Sequence, residues 1–115
     1  MSLARGRQFE AQAAAELTSL GWTILETNFF GGGGELDIVA INGGLLWFVE
    51  VKGRARIDAR TFEALGPKKR ALLRRAADAY LQETELAYES CCFVLCLADD
   101  HGLDWWEDII DGGEE

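Results

Sequence analysis

Residues 34–52 read Gly-Glu-Leu-Asp-Ile-Val-Ala-Ile-Asn-Gly-Gly-Leu-Leu-Trp-Phe-Val-Glu-Val-Lys, and this stretch decides the fold. Leu36 to Ile41 is an apolar run of strand length, Asn42-Gly43-Gly44 is a turn signal, and Leu45 to Lys52 is a second apolar run. Together they predict one β-hairpin. Residues two apart in a strand share a face, so Glu35 and Asp37 are expected to point together, and so are Glu50 and Lys52. The hairpin brings these charged ends to one end of an otherwise apolar unit. Three carboxylates and one ammonium gathered there suit a hard divalent cation, Mg²⁺ or Mn²⁺, with the lysine beside the bound water. The plainer reading is that Glu50 and Lys52 end an edge strand, where charge discourages aggregation. That reading leaves their meeting with Glu35 and Asp37 unaccounted for.

Working outward, Leu3 to Leu20 predicts a helix with a core stripe of Phe9, Ala13, Leu17 and Leu20, stopped by Gly21. Trp22 to Asn28 predicts a strand and Phe29 to Gly34 a glycine loop. This loop is not a phosphate-binding P-loop, since no Gly-Lys-Ser/Thr follows. It reads either as a mobile loop next to the site, able to approach a backbone closely, or as a plain connector. A loop from Gly53 to Gly66 leads to a second helix, which Pro67 starts and which ends near Glu83. Ser90 to Ala98 is a continuous apolar run, expected as a buried strand. Leu103 to Ile110 reads as a final strand or short helix, and residues 111–115 as an acidic tail. The order αβββαβ predicts one α/β domain over residues 1–115, a sheet flanked by helices.

The 115 residues suffice for a single core. No apolar run is long enough to span a bilayer, and Met1 to Arg7 leads into an Ala/Glu-rich helix rather than a signal peptide. The cytoplasm is therefore the expected compartment, with no membrane partner. Cys91, Cys92 and Cys96 form an odd cluster in one apolar run, expected as reduced, packed thiols. A zinc site from Cys92, Cys96 and His101 lacks its second ligand pair and is disfavoured.

A net charge of −9 argues against a nucleic-acid partner until its distribution is considered. Residues 1–75 hold all 11 basic residues against 8 acidic ones; residues 76–115 hold 12 acidic residues and no Lys or Arg. Nucleic-acid binding depends on the local patch. Lys52, Arg54, Arg56, Arg60, Lys68, Lys69, Arg70, Arg74 and Arg75 are concentrated together. Lys68, Lys69 and Arg70 open a helix, where the macrodipole disfavours positive charge. Cations together with free N–H groups at a helix start make a phosphate site. The alternative is a solvated face paired with Glu63 and the acidic half. Of the adjacent Trp105 and Trp106, at most one can face the core; the other is exposed, packs on a partner or stacks on a base.

The ordered set of Gly6 with Glu10 and Ala13, Gly21-Trp22 with Ile24-Leu25, Asn28, Gly34-Glu35-Leu36-Asp37, Phe48-Val49-Glu50-Val51-Lys52 with Arg54, and Lys69 with Ala76-Ala77 and Tyr80-Leu81 resembles the YraN-like family of small bacterial endonuclease-like proteins. Asp37 with Glu50-Val51-Lys52 resembles the motif of the PD-(D/E)XK nuclease superfamily. The resemblance implies a restriction-endonuclease-like αβββαβ core with a mixed sheet. It also implies a metal-dependent phosphodiesterase acting on nucleic acid, DNA in the first instance, and a possible homodimer like those of Holliday-junction resolvases. Asp37 and Glu50 are then metal ligands, the Val51 carbonyl a third, Glu10 an auxiliary carboxylate, and Lys52 the residue that acts on the water or the transition state. Glu35 binds metal, orients a water or ends the loop. Arg54 and Lys69 match the family pattern among the expected nucleic-acid contacts, and Arg70 adjoins Lys69. The chain departs from the family where Phe29-Phe30 follow Asn28 in place of an Arg, where Cys91-Cys92-Phe93 replaces Arg-Phe-Asp, and where Phe9 replaces a Gly. The competing expectation is a catalytically weak nucleic-acid-binding or scaffolding protein that keeps the nuclease core.

Overall fold

Seven elements follow one another in the computed structural model, which describes residues 3–53 and 66–110. They are α1 (Leu3–Ser19), β1 (Thr23–Gly31), β2 (Gly34–Asn42), β3 (Leu45–Gly53), α2 (Pro67–Glu83), β4 (Ser90–Asp99) and β5 (Gly102–Glu107). The strands form one sheet in the order β1-β2-β3-β4-β5. Pairing is antiparallel for β1–β2, β2–β3 and β4–β5, and parallel for β3–β4. A parallel pair needs a crossover, and the segment between β3 and β4 contains α2. The result is the expected αβββαβ restriction-endonuclease-like core with one further strand at the edge.

The sheet is covered on both faces. Phe9, Ala13 and Leu17 of α1 pack on Ile38, Ala40, Trp47, Val49, Val51, Val94 and Cys96. Leu73, Ala76, Ala77 and Tyr80 of α2 pack on the other face, against Leu36, Val39, Leu46, Phe48, Leu95 and Leu97. Burial on both faces explains why β2, β3 and β4 read as near-continuous apolar runs rather than alternating ones. No helix among the described residues is long and apolar enough to cross a membrane.

Three boundaries differ from the sequence reading. Leu20 is 63 % exposed rather than part of the core stripe. The helix has ended: Trp22 N–H donates to Leu17 O and Gly21 N–H to Thr18 O, a Schellman stop with Gly21 at φ 97. The expected glycine loop from Phe29 to Gly34 is mostly strand. β1 runs through Gly31, pairs it with Gly34, and turns on Gly32 and Gly33 at φ 59 and 87, the geometry favoured for two-residue hairpins. Leu103 to Ile110 resolves into a strand, β5, followed by a segment that buries Ile110 on the α2 side.

Candidate active site

The site lies where β2 and β3 leave regular pairing. Their last paired residues are Ile38 and Val49. Beyond that point the Val51 N–H donates to Asp37 Oδ2 at 2.8 Å. Asp37 therefore takes a ladder hydrogen bond on its side chain, which fixes the carboxyl against β3. Asp37 and Glu50 are the buried charged residues among those described, each 6 % exposed, and their carboxyl groups are hydrogen-bonded to one another. Burial pushes the Asp37 carboxyl up. The hydrogen bond and the charge of Glu50 push it further, to about 9, against the pull of the Val51 N–H. Asp37 therefore holds its proton more firmly than an ordinary aspartic acid does.

Glu50 has a second neighbour. Lys69 Nζ of α2 lies 3.0 Å from Glu50 Oε2. That oxygen is buried and accepts no aligned hydrogen bond, so the contact is an ion pair by distance only. An acceptor in this state is incompletely satisfied.

The other expected residues are placed as follows. Lys52 is half-buried and pairs with Leu97, as Glu50 pairs with Leu95. Both partners belong to the α2-side core, so Glu50 and Lys52 share that face, as expected. Glu10 on α1 is half-buried; burial raises its carboxyl, a side-chain hydrogen bond with Asn28 opposes the rise, and the charges of Glu35 and Glu50 add to it. Glu35 sits opposite Phe30 across the β1–β2 ladder. It lines a cavity with Lys69, Leu72 and Leu73. Arg70 is half-buried in the first turn of α2. Arg54 lies outside the described residues, as does the tail.

The strict alternation assumed for Glu35 and Asp37 fails locally. Leu36 and Ile38 are two apart, yet Leu36 packs on the α2 side and Ile38 on the α1 side. At this level of β1, Thr27 pairs with Ile38 and Phe29 with Leu36, while Asn28 between them has φ 52. The left-handed residue lies at the level of the break, and its side chain engages Glu10. Sequence reasoning gave Asn28 no role. The available signal was its type, since Asn is among the few residues that tolerate this conformation.

Among the described residues no three His, Cys, Asp or Glu side chains converge on one point as a ready metal cage. The disfavoured zinc triad does not assemble there either. Cys92 Sγ donates to Asp108 Oδ1 at 3.1 Å and accepts from the Asp108 N–H at 3.3 Å, and Cys96 is buried in the α1-side core. Trp105 packs inward, its Nε1 donating to Glu16 at 2.6 Å, while Trp106 is 49 % exposed.

Comparison with known proteins gives a consistent family. Residues 9–97 match the model of the uncharacterised protein family UPF0102. A UPF0102 protein of Pseudarthrobacter chlorophenolicus is 42 % identical over 99 residues, covering 84 % of this chain and 75 % of the relative. One from Wolinella succinogenes is 35 % identical over 97 residues, covering 84 % and 88 %. One from Moorella thermoacetica is 43 % identical over 93 residues, covering 77 % and 75 %. The matched span runs from Phe9 through Asp37, Glu50, Lys52 and Lys69 to Leu97, so it contains both helices' core faces and nearly every residue of the site. The chain belongs to the uncharacterised protein family UPF0102.

Proposed function

We propose that this chain is a metal-dependent phosphodiesterase of the PD-(D/E)XK type that hydrolyses nucleic acid, DNA in the first instance. The observation that carries the reading is the buried Asp37–Glu50 pair. Two acids are held in contact, one of their oxygens has no aligned donor, and Lys52 follows two residues later on the same face. Two carboxyls held together out of water resist ionising together, and a cation between them relieves that resistance. Mg²⁺ is characteristically held by one or two carboxylates with waters and phosphate oxygens, so two acids without a third fit it.

Asp37 and Glu50 would hold the ion, with the Val51 carbonyl as the further donor that the motif implies. The ion supplies neutralisation of a phosphate and a water acidic enough to attack near neutral pH. The chain's own groups do the rest. The Val51 N–H fixes the Asp37 carboxylate. Lys52 carries an ammonium on the same sheet face as Glu50, able to orient the water or to stabilise charge on the phosphoryl oxygens. Lys69 keeps positive charge against Glu50 at the mouth of the site, and Glu10 adds a half-buried carboxylate from α1.

Calorimetric titration with Mn²⁺ tests the ligand assignment: Asp37→Ala and Glu50→Ala are expected to abolish binding, and unchanged binding in both rejects it. Cleavage is tested on linear duplex, single-stranded, flapped and four-way DNA, and on RNA. Lys52→Ala is expected to keep metal and nucleic-acid binding while losing hydrolysis, because its interaction belongs to the transition state. The ion pair between Lys69 and Glu50 supports a second reading, a nucleic-acid-binding scaffold in which an internal ammonium neutralises a relic carboxylate. Binding without cleavage across the whole panel selects that reading.

A further inference from the structure

Phe30 is 71 % exposed, next to the last residue of β1. A lone exposed aromatic needs no explanation, but this one rims a cavity of about 580 Å³ that it shares with Glu35, Lys69 and Leu72. The size falls within the range of small-ligand sites, about 300–1,000 Å³. A second hollow of about 330 Å³ shares Lys69 and Leu72 with the first and continues to Pro67 and Lys68. Lys69 therefore stands between the two hollows, beside the buried Glu50 at 3.0 Å.

The chemistry of this groove is graded. At one end is the aromatic ring, with Glu35 across the ladder from it as the acidic member of the lining. In the middle and at the far end are the ammonium groups of Lys69 and the exposed Lys68, at the start of a 17-residue helix whose dipole adds positive potential. An ammonium carries three donors, so pairing with one carboxylate does not exhaust Lys69. A guest that matches carries a flat π-face at one end and an anionic group at the lysine end, away from Glu35. A nucleotide has that pattern. In a duplex both faces of a base are already stacked, leaving none for Phe30; an unpaired base has a face free.

We propose that Phe30 is a stacking platform for an unpaired base, with Lys69 and Lys68 taking the adjoining phosphate, so that the substrate is single-stranded or locally unpaired nucleic acid. The proposal deepens the phosphodiesterase reading and rests on it for the chemistry next door, though the groove's binding can be measured separately.

The test uses the full chain without metal and a short single-stranded oligonucleotide carrying a fluorescent adenine analogue, compared with its blunt duplex. Wild type is expected to prefer the single strand and to quench the analogue. Phe30→Ala is expected to weaken single-strand binding about ten-fold, abolish quenching and leave duplex binding unchanged, whereas Phe30→Trp restores both signals. Equal loss on strand and duplex, or no loss, overturns the proposal. Sedimentation of the same proteins covers the other occupant: a wild-type dimer that Phe30→Ala dissociates without changing strand binding assigns this face to a second copy and also overturns it. Failure of the underlying reading looks different. Phe30-dependent strand binding with no cleavage rejects the nuclease and leaves the platform; cleavage of strand and duplex alike, insensitive to Phe30→Ala, rejects the platform and leaves the nuclease.

Discussion

At Asp37 the fold and the proposed function pull in opposite directions. Its carboxyl is raised to about 9 from an ordinary value of 3.8, by burial first and by Glu50 second. A carboxyl raised on folding favours the folded state in its protonated form. That stabilisation is complete below pH about 4, where the unfolded carboxyl is also protonated, and is lost as pH rises toward 9. The metal-free protein should therefore lose stability across that window. Asp37→Asn should remove most of the slope, because an amide carries no charge, its oxygen still accepts from Val51 N–H and its NH₂ can donate to Glu50. We expect the variant to gain about 1 kcal/mol at pH 8, roughly 4 °C in Tm, while losing Mn²⁺ binding. Thermal unfolding from pH 5 to 9 in a chelator checks this. A variant less stable than wild type at pH 8 would show that the pair is ionised and satisfied by other means. A stabilised, inactive variant is the pattern expected where a site is held together against its own repulsion.

At the scale of elements, the glycine run 31–34 joins fold to site. A Cβ on Gly34 would overlap the Leu72 carbonyl of α2, and one on Gly32 would overlap the Arg75 backbone. The β1–β2 hairpin thus lies directly on the helix that carries Lys69. Neither reading left open from sequence, a mobile loop beside the site or a plain connector, describes the run: it is the tight end of a hairpin, and the backbone it approaches closely is the protein's own. Gly34→Ala should cost about 1–3 kcal/mol by overpacking and should weaken metal binding with it. Gly43→Asn, at φ 56 in open space in the other hairpin, should be near neutral because Asn tolerates that conformation. Urea denaturation of both variants is the measurement, and equal effects would mean that the contact with α2 carries no weight. The elements that sequence made legible are those where local signals agree with packing: the 36–52 hairpin, Pro67 at the start of α2, and the apolar β4. Those it obscured depend on partners far away in sequence. Glycines hid the end of β1, because a strand residue without a side chain has no alternation to display. Leu20 looked like core because a helical period does not reveal where a Schellman stop ends the helix. The meeting of Asp37 with Glu50 and the shared face of Glu50 and Lys52 were legible, but the hydrogen bond of Asn28 to Glu10, the break in alternation and the Lys69–Glu50 ion pair needed the third dimension.

Over the whole molecule, the sign of the charge opposes the proposed partner. The net charge is −9, yet the hollow at the start of α2 has Lys68 and Lys69 as its charged lining, and the separation of these from the remote acids matters. Lys69 and Glu83 are both on α2, about 21 Å apart along its axis at 1.5 Å per residue, and Glu83 and Glu85 are exposed at the far end. The Debye length is about 8 Å at 0.15 M salt and about 30 Å at 0.01 M. At physiological salt a bound phosphate senses the local cations and little of the remote acids. At low salt it senses both, and each remote glutamate repels each phosphate by about 0.2 kcal/mol at that distance in water. Affinity for nucleic acid should therefore rise less steeply below about 0.02 M than the counterion-release slope at 0.05–0.2 M extrapolates. The paired substitution Glu83→Gln with Glu85→Gln should raise affinity by up to about two-fold near 0.01 M and leave it unchanged at 0.15 M. Lys69→Gln should weaken binding at both and reduce the mid-range slope by about one unit, as should Arg70→Gln if Arg70 contacts a phosphate. Anisotropy titrations across this range separate the possibilities. A wild-type affinity independent of salt would mean that the cations of α2 only balance the protein's own acids. A Glu83/Glu85 effect that persists at 0.15 M would place those glutamates beside the bound strand rather than behind it.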